Sequence, residues 1–408
     1  MTISRREFLR NIGIAGAAAA VGGGKLLGQT TQPTSQPSTK PAEADKPPQV
    51  PTRKFGKTGA EVSILGVGTT VMPNLLLLKN AMRHGVTYWD TASSYVGGNA
   101  EKVIGKYLKV NSDDRKKIFL VTKAETTDPG RLDRALATSL ERMGTDYIDL
   151  YFIHGVRKPE QLSDELKAWA ERTKKAGTIK HFGFSTHTNM QELMTTAAKA
   201  GWIDGIMMTY NFRLMFKDDM KRAVEACDKA GVGLCAMKTQ AKRAKRDEGE
   251  AAATEEKLIE KFIDKGYSEE QAKLKAVWEI PAIASICSLM RNMSQLSANV
   301  AAAVDKTKLA LGEKVLLRRL ASETCDGYCA GCASKCEPLA GGPVADVMRS
   351  LMYYHNYGDP QMARETFAQV APAMGSGLGA ARLRAAEAAC PNKLPIGEMI
   401  DEARRLLA

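Results

Sequence analysis

The chain has 408 residues, a formal charge of +12 and a 44% hydrophobic composition, enough for one large core of about 250 residues plus appendages. Its basic clusters, at Arg53-Lys54, Arg115 to Lys117 and Lys242 to Arg246, have no aromatic residues among them. They read as solvated faces, and no nucleic-acid partner is expected.

The N-terminus runs Ser4-Arg5-Arg6-Glu7-Phe8-Leu9-Arg10, followed by a weakly apolar, Ala/Gly-rich stretch from Ile12 to Val21. A charged start, a short apolar core and small residues describe a removable export signal over residues 1–29, too short to leave a stable membrane span. The paired arginines before Phe-Leu resemble a twin-arginine signal, which implies the twin-arginine translocase as a partner, export of the folded chain and a periplasmic location. Residues 30–52 are rich in Pro, Ser, Thr and Gln and predict a disordered linker.

From Val62 the chain alternates short apolar runs with helix-like stretches. The runs are Ile64 to Gly68, Val86 to Asp90, Ile118 to Lys123, Tyr147 to His154, Lys180 to Ser185, Gly205 to Tyr210, Val232 to Lys238 and Ala282 to Ser288. Spacings such as Asp90 to Lys123 to His154 are about 30 residues, the length of a strand, a helix and two loops. Eight such units predict an α/β fold, a closed (β/α)8 TIM barrel over residues 53–305. The long gap from Lys238 to Ala282 holds a charged helical stretch, Glu255 to Trp278, which predicts an elaborated connection. An open doubly wound sheet is the alternative, but the first run, Ile64-Leu-Gly-Val-Gly-Thr-Thr70, lacks the third glycine of a nucleotide loop. The match Gly375-Ser-Gly377-Leu-Gly-Ala380 follows no strand and reads as loop.

Barrel enzymes carry their chemistry at the C-terminal ends of strands. Those ends supply Asp90, Lys123 and His154, with Tyr95 in the loop after the first. Singly, Asp90 could cap a helix, Lys123 could snorkel and His154 could be a satisfied core histidine. Together they suit proton transfer to a carbonyl oxygen while hydride reaches its carbon. A phenol ionising near 10 needs a buried cation to become a useful acid, a role expected of Lys123 with Asp90 orienting it and His154 steering the substrate oxygen.

These residues sit in segments that resemble the aldo-keto reductase family, from about Phe55 to Val300. The segments are Trp89-Asp90-Thr-Ala with Tyr95 and Glu101, Ile118-Phe-Leu-Val-Thr-Lys123, Ser139 to His154, Gly183-Phe-Ser185, Tyr210-Asn211 and Ser285 to Asn299. The resemblance implies Tyr95 as general acid, Asp90, Lys123 and His154 completing a tetrad, and a small carbonyl or alcohol substrate. It also implies NADP(H) bound without a Rossmann fold, held by Ser185, Thr186 and Tyr210 at the nicotinamide and by Lys238, Arg291, Gln295 and Asn299 further along. The chain departs from the family at Thr186, Met207 and Leu289, where asparagine, glutamine and glycine are common.

Of the eight cysteines, Cys227, Cys235 and Cys287 lie in apolar surroundings and read as packing residues. The others form Cys325-x3-Cys329-x2-Cys332-x3-Cys336, with Cys390 before Pro391. Loops this short favour a metal centre over disulfides. The pattern resembles bacterial-type ferredoxin, so residues 306–408 are expected to be a C-terminal α-helical ferredoxin-like extension carrying one 4Fe-4S cluster. A second cluster is not expected, because Ala380, Leu383 and Ala386 stand where cysteines would be needed. The expected ligands are Cys325, Cys329, Cys332 and Cys390, with Cys336 spare. A local set with Cys336 as fourth ligand, structural zinc and disulfides all stay open. Two functions are compatible with these features. One is an exported, NADP(H)-dependent oxidoreductase passing electrons to a redox partner protein, and the other a non-catalytic metalloprotein that uses the barrel as scaffold.

Overall fold

The computed structural model describes residues 47–243, 260, 268–325, 327–375 and 378–408. The expected signal, most of the linker and part of the charged stretch before Trp278 lie outside them. Ten strands are described: β1 Thr52–Lys54, β2 Glu61–Ser63, β3 Leu65–Gly68, β4 Tyr88–Asp90, β5 Phe119–Ala124, β6 Ile148–Ile153, β7 Ile179–Thr186, β8 Gly205–Thr209, β9 Gly233–Met237 and β10 Ile283–Leu289. The first two form an antiparallel hairpin, and β3 to β10 close a parallel barrel through β9–β10 and β10–β3 pairing.

Each of the eight apolar runs supplies one barrel strand. Strands such as Ile148–Ile153 are buried at every position, as a sheet covered on its outer face and packed inside requires. Helices between them carry their own start and stop signals. In Pro129–Met143 the Asp128 carboxylate accepts from the Arg131 N–H, Pro129 opens the first turn, and Gly144 closes it at φ 59°, the left-handed conformation that glycine adopts freely.

The hairpin β1–β2 closes the barrel at the N-terminal ends of its strands. Phe55, fully buried, packs 5.4 Å from Phe119 and 6.1 Å from Tyr88 between ring centroids. A Cβ at Gly233 would collide with the Phe55 ring, and one at Gly205 would meet it at 2.7 Å. The expected linker ends before residue 52, because Val50 is buried and its N–H donates to the His84 carbonyl at 2.8 Å. An apolar residue beside a free carbonyl gives the chain a reason to pack there.

Residues after Val304 form helices Leu311–Glu323, Ala333–Ala340, Val344–Tyr357, Pro360–Val370, Ala380–Ala389 and Ile396–Leu407. Leu309, Leu317 and Leu320 join the barrel's own core. The later helices bury a second core that includes Leu351, Phe367, Met399 and Ile400. Among the described residues no helix is long and apolar enough to cross a membrane. Replacing Phe55 with Ala should lower unfolding free energy by about 3–5 kcal/mol, as expected for an aromatic lost from a site that cannot collapse. Urea unfolding checks this.

Candidate active site

β4 and β5 run side by side, and the pairing of Asp90 with Val121 sets the carboxylate beside the ammonium of Lys123. Lys123 Nζ donates to Asp90 Oδ1 at 2.6 Å and to the Thr91 carbonyl at 2.7 Å. Both side chains are almost completely buried. Burial pushes the Asp90 carboxyl above its ordinary value, against the pull of Lys123. Among the described residues Asp90 Oδ2 has no hydrogen-bond partner.

The loop after β4 carries Tyr95. Glu101, fully buried, accepts from Thr122 Oγ1 at 2.7 Å and from Arg142 at 3.0 Å, and Arg142 also donates to the Ser93 carbonyl. This network ties the loop to the barrel, while Val96 beside Tyr95 holds a left-handed φ of 52°, a strained state for a β-branched residue. His154, at the end of β6, sets its ring edge-on to Tyr95, 5.6 Å between centroids, with Nδ1 3.4 Å from Glu125 Oε1. Ser94 Oγ donates to the same Glu125 oxygen at 2.8 Å. Burial, and next the Lys123 charge, lowers the His154 pKa despite Glu125.

Lys123 does not bring Tyr95 down as expected. Burial, followed by the negative potential of Asp90, pushes the phenol well above 10. The reason is geometric: Lys123 Nζ sits 5.0 Å from the Tyr95 ring centroid, with its protons directed at Asp90 and Thr91. Tyr95 therefore rests as a protonated acid.

Asp90, Tyr95 and His154 open on a cavity of 470 Å³ at the C-terminal mouth of the barrel, the position and size of a small-molecule site. Helices Val344–Tyr357 and Pro360–Val370 roof it through Arg349, Tyr353, Tyr357, Met362 and Glu365.

A sequence profile described as the Aldo/keto reductase family matches residues 73–310. The chain belongs to that family. It is 26% identical over 282 residues to the uncharacterized oxidoreductase YqkF of Bacillus subtilis, covering 62% of this chain and 90% of that one. Identity to the aldo-keto reductase NECHADRAFT_45914 of Fusarium vanettenii is 28% over 192 residues, 39% of this chain and 52% of that protein. The chain thus spans about half the length of some curated relatives it matches. A thermostable aldo-keto reductase, Tm1743, solved with the inhibitor epalrestat, superposes with a TM-score of 0.54 at 27% identity, over 66% of this chain and 99% of that one. The holo aldo-keto reductase AKR11C1 of Bacillus halodurans shares the fold, with a TM-score of 0.57 at 24% identity, 67% of this chain and 96% of that one.

In this family member the residues expected on the cofactor divide. Lys238 and Arg291 line the cavity, as do Met207 and Leu289. Ser185, Thr186, Tyr210, Gln295 and Asn299 do not. Ser185 Oγ accepts from the Gly155 N–H at 3.1 Å, and Thr186 Oγ1 donates to the Thr188 carbonyl at 2.7 Å. Tyr210 is buried in the barrel's outer core. Gln295 caps the Arg291 N–H at 2.7 Å, and Asn299 donates to Ser288 Oγ at 3.0 Å. The cavity also takes in His187 and the roof residues, which the sequence reading did not single out. His187 follows Ser185 and Thr186 at the end of β7, so its adjacency was a usable signal, whereas nothing local marks the roof.

The cysteines converge in a set different from the one expected. Cys329, Cys332, Cys336 and Cys390 line one small cavity, and Cys325 does not. Cys332 caps helix Ala333–Ala340 and Cys336 follows one turn later, so the two share a face. Cys390 ends helix Ala380–Ala389. All are free thiols, and burial pushes those of Cys329, Cys332 and Cys336 up. Among the described residues no group of three or more His, Cys, Asp or Glu is drawn close enough to hold a metal ion.

His187 pairs Nδ1 with Thr209 Oγ1 at 2.9 Å, and burial beside Arg349 and Lys238 lowers its pKa well below 6.5. An unfolded histidine binds protons near 6.5, so the unfolded chain takes up more of them in the window below that value. Stability should therefore be full above about pH 6.5 and fall as pH drops toward the depressed folded values. An H187N variant should lose less on acidification than the parent, read from urea midpoints at about pH 8 and pH 5.

Proposed function

We propose that the protein transfers hydride between NADP(H) and a small carbonyl or alcohol. The carrying observation is the buried Lys123–Asp90 pair beneath Tyr95 and His154 on one 470 Å³ cavity. The residues present fit the nucleotide at its phosphate end. Arg291 lines the cavity, and among the described residues its guanidinium pairs with Asp359 at 3.0 Å in a partly exposed pair, worth about 0–1 kcal/mol and readily exchanged for phosphate. When bound, NADP(H) supplies or accepts the hydride.

The chain's own residues do the rest. Tyr95, held protonated, gives its proton to the carbonyl oxygen. His154, held neutral, orients that oxygen through one hydrogen bond. Lys123, with Nζ 5.0 Å from the phenol's ring centroid, places a positive charge beside the developing phenolate. Y95F should lower kcat by about 10²- to 10⁴-fold with an unchanged melting profile, measured as NADPH consumption with an aromatic aldehyde. A Y95F enzyme as fast as the parent would sink this reading. Absence of NADPH binding at millimolar concentration would favour the scaffold alternative.

We further propose that the four-thiol cavity holds an iron-sulfur cluster, which would store single electrons for a redox partner protein. The support is the convergence of four free thiols, Cys329, Cys332, Cys336 and Cys390, on one small cavity. Protein prepared anaerobically should contain iron and acid-labile sulfide, retained in C325S and lost in C336S and C390S. Zinc without sulfide, or loss in C325S alone, would overturn the assignment. Export through the twin-arginine translocase to the periplasm is proposed from Arg5-Arg6. Replacing both with lysine should leave the protein in the cytoplasmic fraction.

A further inference from the structure

The active-site cavity has a second phenol. Tyr353, from helix Val344–Tyr357, is 7% exposed and lines the cavity together with Tyr95. Lys238 Nζ donates to its hydroxyl at 2.8 Å and lies 4.2 Å from its ring centroid. Lys238 is the first residue past β9 and holds a left-handed φ of 56°. A long side chain adopts that conformation only where its surroundings impose it, and such strain gathers at functional sites. Both phenols thus sit beside a strained, non-glycine backbone position, Val96 for one and Lys238 for the other.

We propose that Tyr353 and Lys238 form a proton-supplying pair that reloads Tyr95, making helix Val344–Tyr357 of the C-terminal extension part of the active site. This rests on the carbonyl-reductase reading of Tyr95. In the reducing direction the Tyr95 O–H bond breaks as the substrate O–H bond forms. The Tyr95 phenolate then takes a proton that water in the shared cavity relays from the Tyr353 O–H, each water giving one proton as it accepts another. The Tyr353 phenolate stays hydrogen-bonded to the Lys238 ammonium until water returns a proton to it. The oxidising direction runs the same transfers backwards.

The electrostatics agree with this direction of flow. Burial raises the Tyr353 phenol, but Lys238 and Arg349 outweigh it and bring it below its ordinary value of 10, while Tyr95 is pushed well above. A proton moves downhill from the first to the second, and two like groups driven apart by their surroundings mark donor and acceptor roles. The other groups facing Tyr353 are Asp346 and Tyr357 on its own helix and Glu365 on the next. From the barrel, Asp90, Glu125, His154, Arg157, His187, Arg291 and Tyr95 itself line the same cavity. Asp346 opposes ionisation, but it is taken up by Arg157 and, at 2.7 Å, by Arg349.

Two measurements on the full-length protein test the pair. Alkaline titration of tyrosine absorbance should show one of the eleven tyrosines ionising ahead of the rest. That step should vanish in Y353F, move to higher pH in K238Q and persist in Y95F. In turnover, Y353F should cut kcat about 10-fold or more with KM unchanged, enlarge the solvent deuterium effect, and recover with added imidazole. A merely structural role would raise KM and show no rescue. An early step that is absent, or that survives in Y353F, overturns the proposal, as does a Y353F enzyme with parental kcat and pH profile. Far-UV circular dichroism checks that all three variants fold. If no carbonyl is reduced, the reductase reading fails while the titration still decides whether Lys238 activates Tyr353.

Discussion

The Lys123 ammonium, 1% exposed, is the constraint around which the barrel mouth is built. An ion this deep costs several kcal/mol in desolvation unless a partner and hydrogen bonds replace its water. Asp90 and the Thr91 carbonyl do so at 2.6 and 2.7 Å, which ties the end of β4 to β5 and fixes where the Tyr95 loop departs. The same pairing limits what the lysine can do for Tyr95. Its charge is largely answered by Asp90, and burial together with the Asp90 charge keeps the phenol well above its ordinary range.

A second constraint comes from above. The C-terminal extension docks on the mouth through polar groups that would otherwise face the cavity or solvent. Arg213 donates to the Thr324 carbonyl and hydroxyl at 2.8 and 2.7 Å, and Arg157 reaches Glu337 at 2.8 Å as well as Asp346. Arg291 and Lys238 join Asp359 and Tyr353. The cavity is therefore walled by two bodies with separate apolar cores. Arg291 with Asp359 and Lys238 with Tyr353 meet across their interface.

Much of this was legible in the sequence. The eight strands were, because a parallel strand buried on both faces is a nearly unbroken apolar run, and so was the meeting of Asp90, Lys123 and His154, which close successive runs at an even spacing, with Tyr95 in the loop after the first. The lining of the cavity was not. Thr186 and Tyr210 end strands as visibly as Lys123 does, yet their side chains are taken up by Thr188 and by the outer core. The cysteines divide in the same way. Cys332 and Cys336 belong together because a helix runs through them, whereas Cys325 and Cys329 lie outside any helix, so spacing alone could not choose between Cys325 and Cys336.

What the sequence by itself determined was local and periodic: barrel, strand ends, the titratable residues they carry and the presence of a helical tail. The physical reason is that apolar periodicity and turn chemistry act between residues close in the chain. What only the tertiary structure decided was the meeting of Tyr353 with Lys238, 115 residues apart, and of Cys390 with Cys329, Cys332 and Cys336. These contacts are set by how two cores pack, and no pattern within either segment encodes the partner that burial, charge and shape bring against it.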